Sequence, residues 1–129
     1  MDLVAASLGG HDKAIELLLR KGADVNAQGG YYGNALQAAS YKGHYKIVEL
    51  LLRKGANISA QGGHYSDALQ AASLGGYYNI VELLLSKGAD VNTQIGYYGN
   101  ALQAASLGGH DKTVELLLSK GAVATTKRE

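Results

Sequence analysis

At 129 residues, with 12 Lys and Arg against 11 Asp and Glu, the chain has the length of one domain and almost no net charge. That length suffices for a buried core, while the interspersed charges give no electrostatic argument for nucleic acid or an anionic membrane as partner. No apolar run is long enough to cross a bilayer, no secretory-signal pattern opens the chain, and the lack of cysteine removes disulfides and thiolate metal sites, so a cytoplasmic or nuclear location is expected.

Proline, tryptophan and phenylalanine are missing too, while glycine (18) and tyrosine (9) are abundant. Repetition accounts for the imbalance. Leu3, Leu36, Leu69 and Leu102 stand 33 residues apart, and the same step carries Glu16–Leu19 onto Glu49–Leu52, Glu82–Leu85 and Glu115–Leu118. Four units result, approximately 1–28, 29–61, 62–94 and 95–129, in a single domain without a linker.

In chain order, Met1-Asp2-Leu3-Val4 leads straight into a short helix, with Val4 where later copies carry Gln37, Gln70 and Gln103. Gly10, like Gly43, Gly76 and Gly109, sits where the chain must reverse, a place suited to positive φ. A second helix follows and stops at Gly22, with Lys21 just ahead of it, where a cation suits the negative helix end. The stretch Gln28-Gly29-Gly30-Tyr31-Tyr32-Gly33 then makes a poor helix and a hairpin-like finger, repeated at Gln61–Ser66 and Gln94–Gly99.

In the second unit Asn34 can cap the first helix, as Asp67 and Asn100 can in the third and fourth. The small side chains of Ala38 and Ala39 let a neighbouring backbone approach. The second helix, roughly Tyr45 to Lys54, places Val48, Leu51 and Leu52 on one apolar face and Glu49 on the other. Glu16 with Arg20, and Glu49 with Arg53, are spaced for pairs worth about 0.2–0.5 kcal/mol each. One such helix pair cannot bury its own apolar face, so stacked neighbours supply the missing surface. The fold class is therefore all-α, a solenoid of four stacked helix-turn-helix units with projecting fingers.

The fourth unit departs from the others. Thr113 replaces Ile47 and Ile80, and Gly-Ala-Asp-Val-Asn decays to Gly121-Ala122-Val123-Ala124-Thr125, which reads as an end with a weak cap. The start reads as cut from something longer, or engineered. Incomplete caps predict weak end-to-end self-association at high concentration.

These segments resemble the ankyrin repeat over essentially the whole chain. The resemblance rests on Gly10-His11, Gly43-His44 and Gly109-His110, on Val48 to Leu52, and on Gly-Ala-Asp-Val-Asn at Gly22–Asn26 and Gly88–Asn92. Where the family usually has Thr-Pro-Leu-His, this chain has Asn34-Ala35-Leu36-Gln37 and its copies, so Asn or Asp with Gln must replace the threonine–histidine bonding. The Gly-Asn-Ala-Leu-Gln-Ala-Ala form is similar to a subtype of filamentous fungi, where such arrays often form the sensing tail of large nucleotide-binding, immune-receptor-like proteins. The resemblance implies a non-catalytic protein–protein interaction module. It also implies that Asn26 and Asn92 occupy a position hydroxylated in some animal members. A structural or designed scaffold without a natural ligand is the alternative, favoured by the near-identity of the repeats.

Four copies within one chain can be compared with one another. Segments identical in every copy, such as Ala-Ala-Ser and Glu-Leu-Leu-Leu, are explained by the stacking that every copy shares. The second finger tyrosine (Tyr32, Tyr65, Tyr98) is equally constant and either braces the finger or binds. The first finger aromatic varies as Tyr31, His64 and Tyr97, and the end of the first helix as Leu8, Tyr41, Leu74 and Leu107, with Lys42 following Tyr41. The resemblance places both sets on the concave face, where ankyrin proteins usually meet partners. Tyrosines among glycines have the composition of a binding surface, with large amphipathic contacts at low entropy cost. The expected partner surface is Tyr31, Tyr32, Tyr41, Lys42, His64, Tyr65, Leu74, Tyr97, Tyr98 and Leu107. For Leu74 and Leu107, cover for the inner helix is the favoured reading.

Catalytic and metal readings are weaker. His11-Asp12 and His110-Asp111 look like ligand pairs, but they lie three repeats apart with His44 and Tyr77 at the same place between them. Such a recurring residue is better explained as a turn side chain that bonds backbone. Ser40 with His44 and an aspartate recurs in the same way and lacks a nucleophile elbow. The glycine-rich fingers lack the lysine of a phosphate loop. No enzyme, cofactor or metal is expected, and the expected partner is a protein.

Overall fold

The computed structural model describes residues 2–124, and Thr125 of the decayed terminal motif lies outside that range. Eight helices follow in pairs: α1 (Leu3–Leu8) and α2 (Asp12–Arg20), α3 (Ala35–Lys42) and α4 (Tyr45–Arg53), α5 (Ala68–Gly75) and α6 (Tyr78–Ser86), α7 (Ala101–Leu107) and α8 (Asp111–Ser119). The odd-numbered helices form an inner row, each against its counterpart in the next repeat, and the even-numbered ones an outer row in which α6 packs against both α4 and α8.

Local chemistry sets the helix bounds. The side chains of Asn34, Asp67 and Asn100 each accept a hydrogen bond of 2.8 Å from the backbone N–H three residues on. In the first repeat Asp2 does the same for Ala5, so α1 starts one residue later than its counterparts. Each outer helix runs to a lysine and then to a glycine with φ near +100°, at Gly22, Gly55, Gly88 and Gly121. The amide of the following alanine closes the end, as Ala56 N–H to the Leu51 carbonyl does at 2.9 Å.

One apolar layer runs the length of the array between the two rows. Ala38, Ala39, Ala71 and Ala72 are fully buried, which lets successive inner helices lie close. On α4 the buried face is Ile47, Val48, Leu50 and Leu51, while Leu52 is only half-buried, so Leu50 takes the place expected of Leu52. Thr113 is also buried, at 2 % exposure, so this exchange does not make the outward face polar. Leu107 and Leu118 remain open on the last repeat, as Leu17 does on the first. The Glu16–Arg20 and Glu49–Arg53 pairs form no ion pair among the described residues. All four side chains are exposed, where water competes for them.

The fingers are tight loops rather than two-stranded hairpins. Each is closed by one backbone bond across four residues: Gly29 N–H to Gly33 O, Gly62 N–H to Ser66 O and Ile95 N–H to Gly99 O, at 2.8, 2.9 and 2.8 Å. With so few residues and several at positive φ, no extended ladder can form, and the described residues hold one isolated bridge, between Ile95 and Gly99.

Candidate functional site

The glutamines that replace the family histidine anchor the fingers. Gln37 donates through Nε2 to the carbonyls of Ala60 and Ser66 (3.2 and 3.4 Å), and Gln70 to those of Ile95 and Gly99 (3.1 and 3.5 Å). The inner helices α3 and α5 thus each hold the finger that leads into the next repeat. In the first repeat Val4 cannot make this bond. There a cleft of about 490 Å³ opens between α1 and the first finger, lined by Leu3, Val4, Leu8, Gly29, Tyr31 and Tyr32 among others.

The side chains of the three fingers form two aromatic rows. The inner row stacks Tyr32, Tyr65 and Tyr98 with both centroid separations at 6.3 Å. The outer row stacks Tyr31 on His64 at 4.8 Å and His64 on Tyr97 at 6.3 Å. Rings of the same finger meet edge to face at about 5 Å, the other arrangement that ring quadrupoles favour. Tyr41 of α3 joins them, stacked on Tyr65 at 4.2 Å, with the Lys42 ammonium 5.8 Å from the Tyr41 ring centre. The Nε2 of His64 lies 3.3 Å from the Tyr98 hydroxyl.

Exposure separates the members of this cluster. Tyr31 and Tyr97 are open at 56 % and 81 %, Lys42 is exposed, and Tyr32, Tyr41, His64 and Tyr98 are half-buried. Tyr65 is only 6 % exposed, so it braces its neighbours and offers little surface of its own. Burial, with the neighbouring phenols of Tyr41 and Tyr31, pushes the Tyr65 hydroxyl well above the usual tyrosine range. Burial also raises Tyr98. Both phenols therefore stay neutral at physiological pH. Leu74 is half-buried beside Gly75, and Leu107, at 67 %, is open.

Two of the turn histidines, His44 and His110, are committed elsewhere. His44 Nε2 lies 3.0 Å from the Leu8 carbonyl and His110 Nε2 lies 2.9 Å from that of Leu74, so each fastens its turn to the repeat before it. The Ser40 hydroxyl is buried without a partner, away from any use as a nucleophile. Among the described residues no three His, Asp or Glu side chains converge as a metal site would require, and no helix is long and apolar enough to cross a membrane. Asn26 and Asn92 bond backbone on the following repeat. That role was not visible from their positions in the sequence, nor was the Tyr41–Tyr65 stack.

Stacked helix pairs with loops projecting along one edge define a repeat solenoid, a class that presents extended binding surfaces. The sequence profile of ankyrin repeats in three copies matches residues 3–62 and again 64–128, and the chain belongs to the ankyrin repeat family. Ankyrin repeats generally mediate protein–protein interaction and are typically non-catalytic. No curated protein matches the chain.

Proposed function

We propose that this array binds a partner protein on the face formed by its fingers and inner helices, with Tyr31, Tyr97 and Lys42 in direct contact. Tyr32, Tyr41, His64 and Tyr98 form the half-buried floor beneath them, and Tyr65 holds that floor in place. The observation that carries this reading is the double aromatic row, in which fully formed stacking still leaves Tyr31 and Tyr97 largely exposed. Rings already fixed by their neighbours lose little entropy on binding, which favours them as anchors. The apolar cleft beside Tyr31 is large enough to take a side chain of the partner. Leu74 and Leu107 lie at the edge of the same surface.

The Gly33–Gln37 form of the repeat and its two close copies favour a filamentous-fungal, intracellular recognition module, cytoplasmic or nuclear. A pull-down from fungal lysate tests this, comparing the native chain with a Tyr31→Ala, Tyr97→Ala variant of matched helicity. These two side chains are chosen because they are the most exposed of the cluster, whereas loss of Tyr41 would also disturb Tyr65. A protein retained by the native chain and lost by the variant supports the assignment. Equal or empty retention would remove it and put the scaffold reading first.

A further inference from the structure

The three joints between successive repeats are not all built alike. At the first, the His44 ring reaches the Leu8 carbonyl at 3.0 Å, while Asn26 donates to the Gly55 carbonyl at 3.1 Å and accepts from Asn57 N–H at 2.7 Å. The third joint repeats this pattern. His110 reaches the Leu74 carbonyl at 2.9 Å, and Asn92 bonds the Gly121 carbonyl and Val123 N–H, both at 3.0 Å. His44 and His110 directly precede α4 and α8, and Gly55 and Gly121 directly follow their last turns. Both of these outer helices are therefore pinned at each end to the repeat before them.

The middle joint has neither pin. The histidine position is Tyr77 and the asparagine position is Ser59. A serine side chain is too short to span the gap that Asn26 and Asn92 cross. The Tyr77 ring sits beside Gly43 and Gly75, as His110 sits beside Gly76 and Gly108, but makes no hydrogen bond to the Tyr41 carbonyl, the counterpart of Leu8 and Leu74. Among the described residues neither hydroxyl makes a hydrogen bond between repeats. Apolar packing in the shared core is what holds α6 on α4, through side chains such as Val48, Leu51, Ile80 and Val81.

On the inner side the same joint is well fastened. Gln37 bonds the Ala60 and Ser66 carbonyls there, and Tyr41 stacks on Tyr65 at 4.2 Å, the shortest ring separation among the described residues. A joint fixed along one edge and held only by non-directional packing along the other has one soft motion, rotation about the fixed edge.

We propose that the middle joint is a hinge of the outer row, about which repeats three and four, fastened to each other on both sides, turn together against repeat two. The pivot is the Gln37 and Tyr41–Tyr65 edge, and the outer helices α4 and α6 separate or close as it turns. Because the pivot lies within the aromatic rows, this motion changes the curvature of the face that carries Tyr31, His64 and Tyr97. The hinge exists whether or not that face binds a partner.

The chain has no cysteine, so cysteine pairs can be introduced for spin labels without removing any. Glu16, Glu49, Glu82 and Glu115 are exposed at one register position on α2, α4, α6 and α8. The pairs Glu16→Cys/Glu49→Cys, Glu49→Cys/Glu82→Cys and Glu82→Cys/Glu115→Cys therefore report the three joints on equal terms. Dipolar EPR on frozen samples should show a distance distribution about twofold broader for the middle pair than for the other two. Adding Ser59→Asn and Tyr77→His installs both pins and should narrow the middle distribution to match its neighbours. Ser59→Asn alone, which changes only an exposed loop side chain, should narrow it in part and serves if Tyr77→His disturbs folding. Equal widths for the three pairs in the native background, or a middle width that neither variant changes, would overturn the hinge.

Discussion

Ser66 is the non-glycine residue with positive φ among the described residues, at +75°, and its register counterparts Gly33 and Gly99 sit at +82° and +86°. A side chain in the left-handed region costs roughly 1–2 kcal/mol through the clash of Cβ with the backbone. Replacement by glycine relieves that strain but lengthens the list of unfolded conformations, which takes back about 0.4–1 kcal/mol. Ser66→Gly should therefore stabilise the protein by about 0.5–1 kcal/mol. With an unfolding entropy of roughly 2.1 cal/mol/K per residue, a chain of this size should gain about 2–4 °C in Tm. Thermal melting followed by far-ultraviolet circular dichroism measures it. The converse variants Gly33→Ser and Gly99→Ser should lower Tm, since a Cβ at either site would press on the carboxamide oxygen of Gln37 or Gln103. A lower or unchanged Tm for Ser66→Gly would refute the strain argument and show that the Ser66 side chain contributes packing that outweighs it.

Two further outcomes are expected. Burial raises the Asp67 carboxyl above its ordinary value near 3.8, against the opposing hydrogen bond from the Gln70 amide. A raised folded-state pKa means the native protein holds the proton more tightly than the unfolded chain, so this group's contribution is complete below about pH 3.8 and is lost as pH rises through the folded value. Asp67→Asn, which copies the caps at Asn34 and Asn100, should then stabilise the protein at pH 7, with the advantage shrinking on acidification; urea unfolding at several pH values tests the sign. Leu17, Leu107 and Leu118 are open at opposite ends of the array, at 50 %, 67 % and 48 % exposure, and weak end-to-end association should appear as a light-scattering mass that rises with concentration. A mass that stays at the monomer value would remove that expectation.

The sequence by itself determined the parts of this protein that depend on near neighbours. A cap such as Asn34 acts on an amide three residues away, a stop such as Gly55 acts within its own turn, and a 33-residue period states that every unit meets the next in the same way. The helix pairs, their limits and their stacking were legible for that reason, as were the aromatic positions of the fingers. What the tertiary structure alone decided are contacts that depend on how far one repeat is displaced and rotated from the next. That geometry buries Tyr65 between rings from three different segments, turns Thr113 inward, prefers Leu50 over Leu52 as a core side chain, and gives Asn26 and Asn92 partners some thirty residues away. It also turns two unremarkable substitutions, Ser59 and Tyr77, into a joint that lacks both of its pins. Separation in sequence says nothing about whether a side chain of a given length will reach across a gap, and the stacked repeats fix the width of that gap.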